Sequence, residues 1–219
     1  MSILVKGDTG IEKILMAADI ASRMNSVIWV TSTLHPPKIE SIFNNIDYKG
    51  NTHIILCKKR PIFDTEIDTT YIDSLSLNEI SICASKITHI AEKPFALVLD
   101  NISESLAFQH NHEKFYLFIH DMIGKVIEDG GLCVGCMVKE AQENTCETLI
   151  SSVFDWVLSI KRSVDVEKMG FKRVLTIEKW LIEPSKEILE FDINSGRIIL
   201  PEDVREELFT ALTTNYNER

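Results

Sequence analysis

The sequence predicts an α/β fold with a mainly parallel central sheet, flanking helices, and antiparallel strands towards the C-terminus. Three observations support this prediction. Short apolar runs alternate with helical patterns as far as about residue 144, a glycine-containing loop joins the first run to the first helix, and strand-like segments separated by turn residues follow. Strands that alternate with helices at this spacing are typical of parallel βαβ units.

The composition is that of an ordinary globular protein. The chain has 219 residues, of which 45% are apolar and 26% charged, with a net charge of −10. We expect one domain over 1–219, with a core over about 2–200 and a C-terminal helix over about 201–213. No run approaches the ~18 apolar residues of a membrane span, and the N-terminus lacks a secretory signal pattern, so we expect a cytoplasmic protein. The acidic charge disfavours nucleic-acid partners.

The first strand leads into a loop that matches part of a phosphate-binding motif. The motif reads G-x-x-x-x-G-K-[ST], in which backbone N–H groups and the lysine bind phosphates and the hydroxyl binds magnesium. This chain keeps Gly7, an inner glycine at Gly10, and Lys13, but it has Glu12 in place of the second motif glycine and Ile14 in place of the hydroxyl residue. The candidate nucleotide-binding residues here are Gly7, Asp8, Thr9, Gly10, Ile11, Glu12, Lys13 and Ile14. A tight turn with a solvated lysine is the plainer alternative.

The alternation then continues to residue 138. Apolar residues at helical spacing and short apolar runs predict the following elements. The predicted helices cover 11–25, 37–45, 77–91 and 112–128, and the predicted strands cover 27–30, 53–57, 95–100 and 132–138. Residues 58–76 read as a long surface connection, and the glycines at 130 and 131 indicate a left-handed helix end. The strand over 95–100 ends in Asp100, which adds a carboxylate of the kind that helps hold the metal in phosphate-loop enzymes.

The cysteines and histidines do not predict a metal site. The five cysteines are odd in number and lie mostly in apolar stretches, which is typical of reduced core thiols. Cys133 and Cys136 have a metal-like spacing, but positions three apart on a strand face opposite sides. His110, His112 and His120 have no carboxylate trio at matching offsets.

Beyond residue 144 the pattern changes. A short helix over 146–153 precedes strand-like segments over 156–160, 172–182, 187–191 and 197–200. Turn residues separate these segments, among them Gly170, Pro184 and the run from Asn194 to Gly196. This arrangement is typical of antiparallel hairpins. Pro201 then begins the last predicted helix.

Together, the loop at 7–14, the strand ending at Asp100, and the order of the closing strands resemble the KaiC-like branch of the RecA-type ATPases. The resemblance covers 2 to about 200, and its most specific parts are 154–160, 173–179 and 190–199. It implies a RecA-like core whose Walker A loop lies between the first strand and the first helix. It also implies ATP hydrolysis at the boundaries of a ring, and therefore a homo-oligomer or a hetero-oligomer with an active paralogue.

The sequence departs from the family pattern at the residues that carry out catalysis. The family's catalytic glutamate follows the second strand, where this chain has Thr31-Ser32-Thr33. The family's Lys-x-Arg near the closing strands matches Lys179, but Leu181 stands in place of the arginine. The resemblance therefore implies a catalytically silent regulatory or scaffolding subunit with a degenerate Walker A loop and weak or no magnesium–ATP binding.

The charges at the loop support that interpretation. Like charges at ~4 Å repel by about 4 kcal/mol at an effective dielectric of ~20, so Asp8 and Glu12 would oppose a triphosphate. We also expect the Glu12 carboxylate to turn back onto the loop N–H groups and fill the cradle from within.

Two alternatives stay open. The first is a divergent KaiC-like ATPase that uses ATP and magnesium with Lys13 and Asp100, taking its catalytic base from Glu140 or from a neighbouring protomer. The second is a nucleic-acid-associated RecA paralogue in repair or RNA modification, for which the basic clusters at 58–60, 161–162 and 172–173 are the supporting feature.

Overall fold

The computed structural model describes residues 1–58, 68–72, 76–100, 102–109, 111–165, 170–180 and 188–200, together with 206 and 210. Within these residues the strands are β1 (Ser2–Gly7), β2 (Ser26–Thr31), β3 (Asn51–Leu56), β4 (Asp68–Tyr71), β5 (Phe95–Leu99), β6 (Gly131–Val138), β7 (Trp156–Asp165), β8 (Gly170–Lys179), β9 (Ile188–Asn194) and β10 (Arg197–Ile199). The helices are α1 (Glu12–Ala21), α2 (Pro36–Asn45), α3 (Leu77–Thr88), α4 (Ile102–Phe108), α5 (His112–Glu128) and α6 (Asn144–Val153).

All of these strands belong to one sheet in the order β10-β9-β8-β7-β1-β6-β5-β2-β3-β4. In this order, every neighbouring pair in the run β7-β1-β6-β5-β2-β3-β4 is parallel. The pairs from β7 to β10 are antiparallel. The sheet is therefore mostly parallel with antiparallel C-terminal strands, which confirms the predicted fold class.

Helices cover both faces of the sheet. Residues of α1 and α2 join one apolar cluster, and residues of α3 to α6 join the other. On β1, Ile3 and Val5 pack into the first cluster while Leu4 packs into the second. Because both faces are covered, the central strands are continuous apolar runs, and this is why the sequence predicts them well.

The observed elements differ from or only partly cover the predicted ones at three places. The connection predicted over 58–76 contains β4, while 59–67 and 73–75 lie outside the described residues. Helix α4 follows β5 where no element was predicted. Of the expected helix over 201–213, only Glu206 and Thr210 are described, and both are helical.

The topology brings four loops together. The carboxyl ends of β2, β5, β6 and β1 lie side by side at one edge of the sheet, and each strand leads there into a turn or a helix. In open α/β sheets, ligands bind in the crevice outside these strand ends. None of the helices in the described part of the chain has the length and apolar content that a membrane crossing requires.

Candidate functional site

In the loop between β1 and α1, the Lys13 side chain hydrogen-bonds to the loop's own carbonyl groups. Lys13 Nζ donates hydrogen bonds to the carbonyl oxygens of Asp8 at 2.9 Å and Gly10 at 3.1 Å. The side chain is buried, and this burial lowers the pKa of Lys13. Gly7 is closely packed, because a Cβ there would lie 3.2 Å from the carbonyl oxygen of Ile160 on β7. The loop is therefore tight, and its ammonium group is bound by loop carbonyls.

The Glu12 side chain points towards β7 and β8. Its Oε1 lies 3.5 Å from Nη1 of Arg162 and 3.6 Å from Nε of Arg173. Among the hydrogen bonds of the described residues, none joins a loop N–H group to this carboxylate. The expected position of the Glu12 carboxylate over the loop is found, since a Cβ at Gly10 would meet its Oε2, whereas the expected hydrogen bonds to loop N–H groups are not. The two guanidinium groups also offset the negative charge expected beside the loop.

A pocket of about 320 Å³ opens on the other side of the loop. Its lining residues are Thr9, Gly10, Ile11, Lys13, Ile14, Thr33, Leu34, Lys38, Asp100, Ser103, Glu104, Cys136 and Val138. It thus collects most of the predicted loop residues together with Asp100. Gly7, Asp8, Glu12 and Glu140 do not line it.

Asp100 is buried at the end of β5 and accepts hydrogen bonds from side chains on β2. Trp29 Nε1 donates to Asp100 Oδ2 at 2.6 Å, and the Thr31 hydroxyl also hydrogen-bonds to the carboxyl group. Burial raises the pKa of Asp100 to about 7, although these two hydrogen bonds act in the opposite direction. The second oxygen, Oδ1, is buried and has no hydrogen-bond partner among the described residues.

Glu104 is a pocket residue that the sequence analysis missed. It lies on α4, and its Oε2 accepts a hydrogen bond from the Ser32 hydroxyl at the end of β2. The signal that could have found it is the apolar pair Ile102 and Leu106, whose spacing of four indicates a helical turn after Asp100. The pocket therefore holds a carboxylate next to the end of β2, where Thr31-Ser32-Thr33 supply none.

Glu140 and Lys179 occupy other positions. Glu140 lies on the exposed turn after β6 with φ of 59°, and its N–H donates to Glu147 Oε2 at 3.2 Å. Lys179 Nζ donates to the carbonyl oxygens of Ser152, at 2.8 Å, and Phe154. These carbonyls are at the C-terminal end of α6, where a cation is favourable.

The structure also shows where the cysteines and histidines considered as metal ligands lie. Cys133 packs on one face of the sheet and Cys136 on the other, as their spacing predicts. Nδ1 of His112 lies 3.3 Å from Sγ of Cys146, while His110 is outside the described residues. Within the described ranges, no group of three or more His, Cys, Asp or Glu side chains could hold a metal ion.

The residues around the pocket do not fit a magnesium nucleotide held in the manner of the motif. Ile14 presents an apolar side chain to the pocket at the position where the motif has a metal-binding hydroxyl. Lys13 donates to loop carbonyls, and Asp100 Oδ2 already accepts from Trp29. A metal ligand must also be ionised, whereas burial favours the protonated form of Asp100.

The chain has a fold similar to that of solved KaiC-like α/β proteins. It is similar to a crystal structure of a KaiC-like protein from the hyperthermophilic archaeon Pyrococcus horikoshii, with a TM-score of 0.66 and 14% identity over 91% of this chain and 88% of that chain. It is also similar to the flagellar accessory protein FlaH from Methanocaldococcus jannaschii, with a TM-score of 0.60 and 13% identity over 91% and 88% of the two chains. No family model and no curated protein matches the sequence. At these identities the likeness shows the fold alone.

Proposed function

We propose that this protein is a catalytically silent RecA-like subunit that regulates or scaffolds a partner and binds magnesium–ATP weakly or not at all. One observation carries the proposal. The polar groups that would hold a magnesium nucleotide are bound within the chain, Lys13 by two loop carbonyls and Asp100 by Trp29. Ile14 adds to this by presenting no hydroxyl to the pocket.

The proposal includes assembly in the cytoplasm, either with further copies of the chain or with an active paralogue. Its support is the resemblance to ring-forming ATPases together with the fold. The name of FlaH, an accessory protein, is consistent with an auxiliary role for a chain of this shape. Sedimentation velocity of the purified protein, alone and mixed with candidate paralogues, tests it. A monomer that joins no such complex would contradict it.

The test of the silent site is a calorimetric titration with magnesium–ATP. We expect no micromolar binding to the wild-type protein. Ile14→Thr restores a hydroxyl, and we expect it to tighten magnesium–ATP binding by roughly tenfold. Ile14→Val is the matched control, since it has nearly the same shape as threonine without the oxygen. Micromolar binding to the wild-type chain would overturn the proposal.

Glu104 favours a second candidate, a divergent ATPase. Like Asp100 it is a carboxyl group that lines the pocket, and Glu140 does not line it, so Glu104 replaces Glu140 as the candidate base. The readout is steady-state phosphate release with Lys13→Ala and Glu104→Gln. Loss of activity in both variants would support the ATPase, provided that Glu113→Gln on the exposed start of α5 keeps it. Absence of phosphate release from the wild-type protein would reject it.

A further inference from the structure

Two arginines lie directly opposite each other on the antiparallel strands β7 and β8. Arg162 and Arg173 are register partners, and both approach Glu12, so they share one face of the sheet. The Arg162 guanidinium also lies over the ring of Phe171, 4.8 Å from its centroid. Like charges placed opposite each other on paired strands are destabilising. An anion between the two guanidinium groups therefore stabilises this pair.

Glu12 supplies that anion in the present structure. Its side chain is only 11% exposed, although it belongs to the first turn of α1. A Cβ at Gly10 would lie 2.3 Å from Glu12 Oε2, so the carboxylate covers the loop glycine. Glu12 thus lies between the loop and the two arginines.

The carboxylate does not satisfy the arginines fully. Both ion-pair distances, 3.5 and 3.6 Å, are long, and Nε of Arg173 is buried with no hydrogen-bond partner in the part of the chain that the structure describes. A phosphate group has more oxygens than a carboxylate and accepts paired hydrogen bonds from guanidinium groups. The N-terminal end of α1 also favours a negative group at this position.

We propose that Arg162 and Arg173 form an anion-binding site for a phosphate group, and that Glu12 occupies this site as a displaceable internal ligand. Neither arginine nor Glu12 lines the 320 Å³ pocket. The site therefore adjoins that pocket at Gly10, which Glu12 covers, but its arginines lie outside the pocket and the proposal does not rest on the proposed function.

The experiment is a titration with inorganic pyrophosphate in the presence of EDTA. We expect Glu12→Ala to bind pyrophosphate at least roughly tenfold more tightly than the wild-type protein, because the internal competitor is gone. Adding Arg173→Gln to Glu12→Ala should remove this gain. Adding Lys161→Gln should preserve it, since Lys161 lies on the same strand but on the opposite face. Adding Lys13→Ala should also preserve it, which separates the arginine site from the loop lysine.

Equal affinity of the wild-type and Glu12→Ala proteins would overturn the proposal, as would a gain that survives Arg173→Gln. Thermal unfolding with and without pyrophosphate gives a second readout, in which the anion should stabilise Glu12→Ala markedly more than the wild-type protein. Arg162→Gln provides the same test if Arg173→Gln fails to fold. Neither magnesium nor a nucleotide is present, so failure of this proposal leaves the magnesium–ATP test unaffected.

Discussion

Asp100 shows how one buried carboxyl group is balanced between opposing effects. Loss of water raises its pKa to about 7, and the hydrogen bonds from Trp29 and Thr31 lower it in part. The result is a side chain that changes its charge close to neutral pH. Because it lines the pocket, this change also alters the charge that the pocket presents.

Asp100→Asn should therefore stabilise the protein in a pH-dependent way. The folded-state pKa lies above the ordinary value of 3.8, so the favourable neutral form is fully present below about pH 4 and is lost as the pH rises through about 7. A shift of this size corresponds to about 4 kcal/mol at high pH. Asparagine cannot ionise and still accepts from Trp29. In denaturant unfolding, the advantage of the variant should grow from roughly half of its full size near pH 5.5 to its full size near pH 8.5.

An exposed substitution gives the control for this measurement. Asp121 on α5 is 71% exposed, and Asp121→Asn removes the same charge without removing a buried one. Its effect on the free energy of unfolding should be small at both pH values. An Asp100→Asn advantage that does not grow with pH would contradict the interpretation of the buried carboxyl group.

At the scale of residues, the sequence predicted the site residues that directly follow a strand. The loop residues and Asp100 follow strands directly, so a motif and a strand end suffice to find them. Glu104 and Lys38 reach the pocket from separate helices, and their distances to the loop depend on how α4 and α2 pack. The direction of Glu12 depends on Arg162 and Arg173, which lie far along the chain and become its neighbours only through the pairing of β7 with β1.

At the scale of elements, a buried cation joins three parts of the fold next to the loop. Lys6 on β1 contacts Glu147 on α6 at 3.0 Å and Glu178 on β8 at 2.6 Å. Burial lowers the pKa of Lys6, but the hydrogen bonds to Glu178 and Glu147 outweigh it, so the pKa is raised. The ammonium group thus stays charged and holds α6 and β8 against the first strand.

Lys6→Met should cost roughly 3–5 kcal/mol of folding stability, because it leaves Glu147 as a mostly buried carboxylate without its cation. Adding Glu147→Leu to Lys6→Met should recover part of this loss, since an apolar replacement removes the unpaired charge. Lys139→Met is the control. That ammonium lies 3.7 Å from Glu178 and is 39% exposed, so the expected cost is below about 1 kcal/mol. Denaturant unfolding measures all of these changes, and equal losses for Lys6→Met and Lys139→Met would refute the argument.

The accuracy of the element predictions follows from burial. Strands β2, β5 and β6 are buried on both faces and appear in the sequence as apolar runs. Strand β4 has four residues at the edge of the sheet, none of which is buried, so no apolar run marks it. Helix α4 spans seven residues, which is too short for helical periodicity to stand out.

At the scale of the whole molecule, the net charge is −10, and ion pairs with carboxylates further reduce the positive charge that the basic clusters present. In the cluster on β7 and β8, Arg162 and Arg173 face Glu12, and Lys172 pairs with Glu190. Of the cluster at 58–60, only Lys58 lies within the described residues. The β7–β8 cluster therefore presents less positive charge than its sequence suggests.

We accordingly expect no binding of duplex DNA or tRNA at about 0.15 M salt, because non-specific affinity comes mainly from basic groups that neutralise phosphates. Fluorescence anisotropy with labelled DNA and tRNA measures it. Lys172→Gln combined with Arg173→Gln should leave this result unchanged. Glu12→Ala combined with Glu190→Gln should raise the affinity at low salt, because it removes two carboxylates that pair with these cations. Wild-type binding that weakens steeply with salt and disappears in the first double variant would show instead that these cations serve a nucleic-acid partner.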